Sequence, residues 1–206
     1  MKNLHLKRIN TIRMNTIKNE HLYIKNMVCP RCIQSVKEEA IKAGFKTRSI
    51  KLGEIILFEK FTENQFNEFK SGIEKNGFEL ITNKRERIVE TIKTEIINMV
   101  QYDKKVPGNQ NFSSYLSSLL GKDYSYLSSL FSLLENTTIE KYTILQKIER
   151  TKELLTYEEL SLTEITLKLG YSNTQHLSAQ FKKITGITPS QFKKQKEKSR
   201  NSLDEI

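Results

Sequence analysis

The chain has 206 residues, with 34 Lys and Arg against 24 Asp and Glu and a formal net charge of +10 at pH 7. That length suits two small domains better than one, and the basic balance favours an anionic partner, either nucleic acid or a membrane surface. No apolar run approaches the roughly 18–20 residues of a membrane span, the N-terminal stretch lacks the apolar core of a secretory signal, and two close cysteines make no disulfide framework, so the expected compartment is the reducing cytoplasm.

Residues 1–20 carry five basic residues against one acidic and show little periodicity. They read as a disordered basic arm, or as an over-extended start with Met14 as the alternative initiator. A basic arm can touch phosphate, and a solvated tail without a role is the simpler reading.

Residues 21–83 change texture. His21 to Met27 alternates like a half-buried strand with Leu22 and Ile24 on one face. After the Val28-Cys29-Pro30-Arg31-Cys32 loop, Ile33, Val36, Ala40 and Ile41 mark one face of a helix ending at Gly44. Phe45 to Lys60 reads as a hairpin turning at Gly53, its second arm rich in β-branched and aromatic residues. Thr62 caps a second helix with Phe66, Phe69 and Ile73 inward and Gly77 at its end, and Phe78 to Thr82 supplies a last strand. The order β-α-β-β-α-β is the split βαβ, ferredoxin-like arrangement of an α+β domain.

This segment resembles the heavy-metal-associated domain of copper chaperones and metal-transporting ATPases, through Asn26-Met27-Val28-Cys29-Pro30-Arg31-Cys32 and Gly77-Phe78. The resemblance implies Cu(I) held between the thiolates of Cys29 and Cys32. Soft thiolates select Cu(I) over harder ions, helix-end amides lower a thiol pKa, and zinc needs about four ligands. Asn26 stands where that family usually has glycine, and Pro30-Arg31 replaces the usual small residues. Metal binding, thiol redox sensing and an inert pair all stay open. A glutaredoxin-like reading of Cys-Pro-x-Cys needs a proline facing the pair, and the other prolines, Pro107 and Pro189, lie outside this domain.

Residues 84–104 predict a linker helix striped by Ile88, Ile92, Ile96 and Val100, a composition that also suits contact between subunits. A Pro/Gly loop over 104–110 follows.

Two similar units come next. In the second, Ser161 and Glu164 form a capping box, and Leu162, Ile165 and Leu169 stripe a helix ended by Gly170. Ser172 can cap a following helix with Leu177, Phe181 and Ile184 inward. Gly186 stops that helix, and Thr188-Pro189 starts another. The first unit, from Asn111, repeats the plan: Phe131 and Phe181, Thr138 and Thr188, and Tyr142 and Phe192 are each 50 positions apart. Asp123 caps its second helix, Asn136 takes the place of Gly186, and Ile144, Leu145, Ile148 and Leu155 belong to a long joining helix. Two helices about a short glycine turn form a helix-turn-helix, whose second helix enters the major groove. A small bundle with a solvated polar face has the same pattern.

Glu164-Ile165, Leu169-Gly170-Tyr171-Ser172, His176-Leu177, Gln180-Phe181-Lys182-Lys183 and Gly186-x-x-Pro189-Ser190-x-Phe192 resemble the C-terminal signature of AraC-type transcription regulators. The resemblance covers about 110–195. It implies two reading helices on one DNA face about a turn apart, the first offering Tyr124, Ser125, Tyr126, Ser128 and Ser129. The second offers Asn173, Thr174, Gln175, His176, Ser178 and Ala179. Neither set contains arginine, the commonest reader of guanine, and Gln175 is the best candidate for an adenine contact. Phosphate affinity is expected from Lys182, Lys183 and the tail residues Lys193, Lys194, Lys196, Lys198 and Arg200.

The expectation is therefore a regulator with an α+β ferredoxin-like (βαββαβ) domain over 21–83 and an all-α domain with two helix-turn-helix units over 105–196. Residues 197–206 form a flexible tail. The expected partner is double-stranded DNA at promoter sites, with RNA polymerase and a second copy of the chain as further candidates and no membrane. No Ser/His/Asp set, phosphate loop or paired carboxylates point to an enzyme. The rival reading is a Cu(I)-handling or thiol redox-sensing protein with secondary DNA binding.

Overall fold

The computed structural model describes residues 20–108, 110–195, 200–204 and 206. Except for Glu20, the basic arm expected over 1–20 lies outside these residues, as do Lys196 and Lys198 of the tail.

β1 (Glu20–Lys25), α1 (Pro30–Lys42), β2 (Thr47–Lys51), β3 (Glu54–Leu57), α2 (Glu63–Lys75) and β4 (Glu79–Ile81) follow one another in the expected order. The strands form one sheet ordered β2-β3-β1-β4, with every neighbouring pair antiparallel. Alternation sends Leu22, Ile24, Ile55, Leu57 and Leu80 to one face, where they meet Val36 and Ala40 of α1 and Phe69 and Ile73 of α2. The hairpin turns at Gly53, whose φ of +76° favours glycine. Thr62 and Gln65 form a reciprocal capping box at the start of α2. One position differs from expectation: Ile41 is 62% exposed, while Ala43 and Phe45 fill the core beside Ala40. Ile41 follows Ala40 by one residue, a rotation of about 100° off the buried face, whereas Ala43 returns to it.

Asn26 adopts a φ of +71°. Asn tolerates the left-handed region better than most residues, so it supplies the turn for which glycine is the usual choice. Its amide Nδ2 donates to the Gly77 carbonyl at 3.0 Å, tying the cysteine loop to the turn before β4.

α3 (Lys84–Gln101) is capped by Asn83, whose side chain accepts from the Arg85 amide. It is more than a link. Ile88, Val89, Ile92, Ile96 and Val100 are buried in the C-terminal core, and Ile97 enters the N-terminal one. The stripe that suited a subunit contact is thus covered by the chain itself.

α4 (Phe112–Leu120), α5 (Tyr124–Glu135), α6 (Ile139–Tyr157), α7 (Leu162–Lys168), α8 (Thr174–Thr185) and α9 (Pro189–Lys194) complete the chain. α6 runs through the centre, packed on α3, α8 and α9. Its Gln146 carbonyl oxygens accept from buried Gln101 Nε2, at 3.1 Å from the side chain and 3.2 Å from the backbone. The tail expected to be flexible is tied down where it is described. The Asn201 amide donates to Glu149, Arg200 pairs with Glu153 at 3.4 Å, and Ile206 packs on the core.

Candidate nucleic-acid interface

The two helical pairs are built alike. Gly121 (φ +60°) ends α4 and Gly170 (φ +67°) follows α7. The second helices, α5 and α8, end on left-handed residues, Asn136 (φ +52°) and Gly186 (φ +80°). Thr138 and Thr188 then cap α6 and α9, each accepting from the amide three residues on. In each unit a fully buried phenylalanine meets the next helix edge-on: Phe131 to Tyr142 and Phe181 to Phe192, both with centroids 5.6 Å apart. The repeat inferred from spacing is a repeat of packing.

α8 buries Leu177 and Phe181 and exposes Gln175, His176, Ala179, Lys182 and Lys183. Several predicted readers are engaged elsewhere. The helix is capped by Asn173, one residue later than the expected Ser172, and the Asn173 side chain accepts from the His176 amide at 2.8 Å. That oxygen satisfies an otherwise orphan N–H. Thr174 and Ser178 are half-buried. The His176 ring stands edge-on to Tyr171 at 5.4 Å, with Ser172 Oγ 3.4 Å from its Nδ1. Ile184, expected inside, is 39% exposed, because Leu177 and Phe181 define the buried stripe and the next turn runs past the core.

On α5, Leu127, Leu130 and Phe131 are buried, while Ser125, Tyr126 and Ser129 are exposed. Tyr124 is half-buried, and its hydroxyl donates to Glu140 at 2.7 Å. Burial, reinforced by that carboxylate, pushes its pKa up, so the phenol stays a donor committed to Glu140. Ser128 is half-buried, and Asp123 holds the N-cap position without making a side-chain bond.

The cations follow the same division. Lys182, Lys183, Lys193 and Lys194 are exposed and stand in no ion pair among the described residues. Arg200, expected among the phosphate contacts, shares Glu153 with Arg150.

The cysteines lie at the start of α1, Cys29 at the N-cap and Cys32 in the first turn. Both are free and half-buried, with sulfurs 3.0 Å apart. The expected drop in thiol pKa is overturned at Cys32: burial and the hydrogen bond with Cys29 raise it more than the backbone amides lower it. Met27, next to the loop, is fully buried. No group of three or more His, Cys, Asp or Glu poised for a metal occurs among the described residues. Two soft sulfurs fit Cu(I) in donor type and do not fit a four-ligand zinc site.

Two features carried no distinctive sequence signal. Tyr102 reaches across to the cysteine loop, donating to the Val28 carbonyl at 2.9 Å. Arg87, Glu90, Thr94 and Asn98 line a cavity beside the sheet, although their helical spacing is that of any solvated face.

Residues 116–195 match the family profile of the helix-turn-helix domain. Over these residues the chain is similar to helix-turn-helix domains. Over 75 residues the chain is 37% identical to an HTH-type transcriptional regulator in the cgkA 5′ region of Pseudoalteromonas carrageenovora, covering 36% of this chain and 44% of that protein. Over 96 residues it is 31% identical to the Msm operon regulatory protein of Streptococcus mutans, covering 45% and 34%. The chain thus spans less than half the length of these curated relatives. A solved structure, the C-terminal domain of the response regulator AraT from Geobacillus stearothermophilus, aligns with 58% of this chain and 94% of its own, at 22% identity and a TM-score of 0.46. No helix among the described residues is long and apolar enough to cross a membrane.

Proposed function

We propose that this chain is a sequence-specific, AraC-type DNA-binding transcription regulator, not an enzyme, with α5 and α8 reading adjacent stretches of the major groove in promoter DNA. The observation that carries this reading is the paired packing of Phe131 on Tyr142 and Phe181 on Phe192, which sets two similar helices in two similar frames. Gln175 and Ala179 on α8, and Ser125, Tyr126 and Ser129 on α5, are the exposed groups best disposed toward base edges, with His176 beside them. Lys182 and Lys183 lie toward the C-terminal end of α8 and Lys193 and Lys194 at that of α9, disposed toward phosphate. Asn173, Thr174, Tyr124 and Ser128 serve chiefly to shape the units. A gel shift of the full chain against a pool of genomic fragments tests the reading. Binding should weaken as salt rises and favour particular fragments. Equal affinity for genomic and random duplexes would overturn it.

A second reading concerns the N-terminal unit, whose strand order supports a ferredoxin-like module with its division from the DNA-binding unit before α3. We infer that Cys29 and Cys32 gate DNA binding through Cu(I) or disulfide formation. Their 3.0 Å separation and the Tyr102–Val28 bond to α3 support this. RNA polymerase contact and dimerisation are compatible with the reading and rest on the family resemblance alone.

A further inference from the structure

A cavity of about 350 Å³ lies between the hairpin side of the sheet and α3. α3 turns its apolar stripe to the C-terminal core and a polar stripe into this space. Glu90 and Thr94 in that stripe are each only 8% exposed, and burying polar groups is costly unless partners satisfy them.

Most of the charges around the cavity satisfy one another. Glu54 takes His21 at 2.8 Å and Lys51 at 3.3 Å, and Glu95 takes Lys104 at 2.8 Å. Two charges are left over. Arg87 has no carboxylate within ion-pair distance among the described residues. Its guanidinium sits 5.1 Å from the Tyr23 ring centroid, and its Nε is buried without a partner. Glu90 likewise has no cation within ion-pair distance among the described residues, and its carboxylate accepts one bond, from the Asn26 amide at 3.3 Å. The pair stands three residues apart on one helix, a spacing that places side chains side by side. Leu119 and Leu120 at the end of α4 and Leu52 beside the hairpin turn give the lining its apolar part. The volume falls at the small end of the roughly 300–1,000 Å³ typical of ligand pockets.

We propose that this cavity binds a free α-amino acid with an aliphatic side chain. The ligand carboxylate meets the Arg87 guanidinium, its ammonium meets the Glu90 carboxylate, and its side chain lies against Leu119 and Leu120. A guanidinium recognises carboxylate through a planar fork of donors, and the buried carboxylate supplies the opposite charge that a zwitterion needs. Any effect of the ligand on operator affinity rests on the regulator reading above; binding itself does not.

Calorimetric titration of the full chain without DNA tests the site, using each standard L-amino acid in turn, with propionate and ethylamine as single-charge controls. Saturable heat is expected from at least one aliphatic amino acid and from neither control. Affinity should fall by about tenfold or more, some 1.4 kcal/mol, in both Arg87→Met, which removes the guanidinium, and Glu90→Gln, which keeps side-chain length and an acceptor for the Asn26 amide. On the wild-type chain, the Arg87 Nε–H resonance should move at saturation, a readout that does not depend on how the variants fold. Heat from no amino acid, heat only from charged ones, an Nε–H signal unmoved at saturation, or binding retained in either folded variant would overturn the proposal. None of these outcomes bears on DNA binding, because no DNA is present.

Discussion

The Tyr102 hydroxyl donates to the Val28 carbonyl at 2.9 Å, fastening the C-cap of α3 to the residue before Cys29. Burial, followed by the nearby thiols, pushes the phenol up to about 12, so it remains a donor throughout the neutral range. Tyr102 is 41% exposed, which places the bond at the low end of the about 0.5–1.5 kcal/mol typical of one hydrogen bond. Tyr102→Phe should lower the unfolding free energy by that small amount, read as a lower urea midpoint with the slope unchanged. An unchanged midpoint would mean the two parts are not held together at this point.

Glu90 gives a pH dependence with a definite sign. Burial raises its pKa, outweighing Lys93, the Asn26 amide and Lys25, which lower it, while Glu135 adds to the rise. The folded chain therefore holds a proton that the unfolded chain releases, and stability falls as pH rises from the ordinary carboxylate range through the raised value. Glu90→Gln cannot ionise and can keep the Asn26 bond. It should melt higher than wild type at neutral pH, with the gap closing below the ordinary carboxylate range. A gap independent of pH would show that ionisation of Glu90 is not the cause.

Much of this fold was legible because local chemistry and global packing agree. Gly53, Thr62, Ser161, Gly170, Gly186 and Thr188 all sit at the turns and caps their residue types favour. The inward Phe181 follows from helical periodicity, and the 50-residue repeat pairs it with the equally buried Phe131. The misses have separate causes. Ile41 and Ile184 are hydrophobic yet leave the buried face, one through helix rotation and the other because the core ends before it. Asn173 displaces Ser172 as the cap by a single residue. The role of α3 depends on which bodies lie on its two sides, information that no helical pattern contains. The proposed reading surface was legible only as a list of polar residues, and burial then divides it into exposed groups and half-buried or capping ones.

That division is testable on α8. Gln175 is exposed on the groove side of the proposed interface, whereas the Asn173 side chain is spent on the His176 amide. Gln175→Ala should cost about 1–3 kcal/mol at one base position and leave other positions alone. Lys182→Ala should weaken all sequences alike. Asn173→Ala should lose about 0.5–2 kcal/mol of stability as an N-cap deletion, with affinity falling evenly across sequences. Selection from a randomised duplex library, read beside thermal melts, distinguishes them. A sequence preference altered by Asn173→Ala and untouched by Gln175→Ala would reverse the assignment of the two residues.

The cysteine pair gives the sharpest test of gating. With sulfurs 3.0 Å apart, closing to the roughly 2.05 Å of a disulfide asks for little movement. Diamide would take the two electrons and two protons as the bond forms, and Cu(I) would displace both thiol protons. Either event alters the loop that Tyr102 fastens to α3, and α3 is buried in the same core as α5 and α8. For DNA affinity to change, the closed pair must favour one arrangement of that core over another, since equal preference shifts nothing. The expected outcome is that Cys29→Ser/Cys32→Ser keeps its melting temperature and basal operator affinity while losing every response to Cu(I) and diamide. Operator affinity of the wild-type chain, measured across both titrations, decides the matter. A curve flat in both would leave the pair as two inert thiols and place regulation elsewhere.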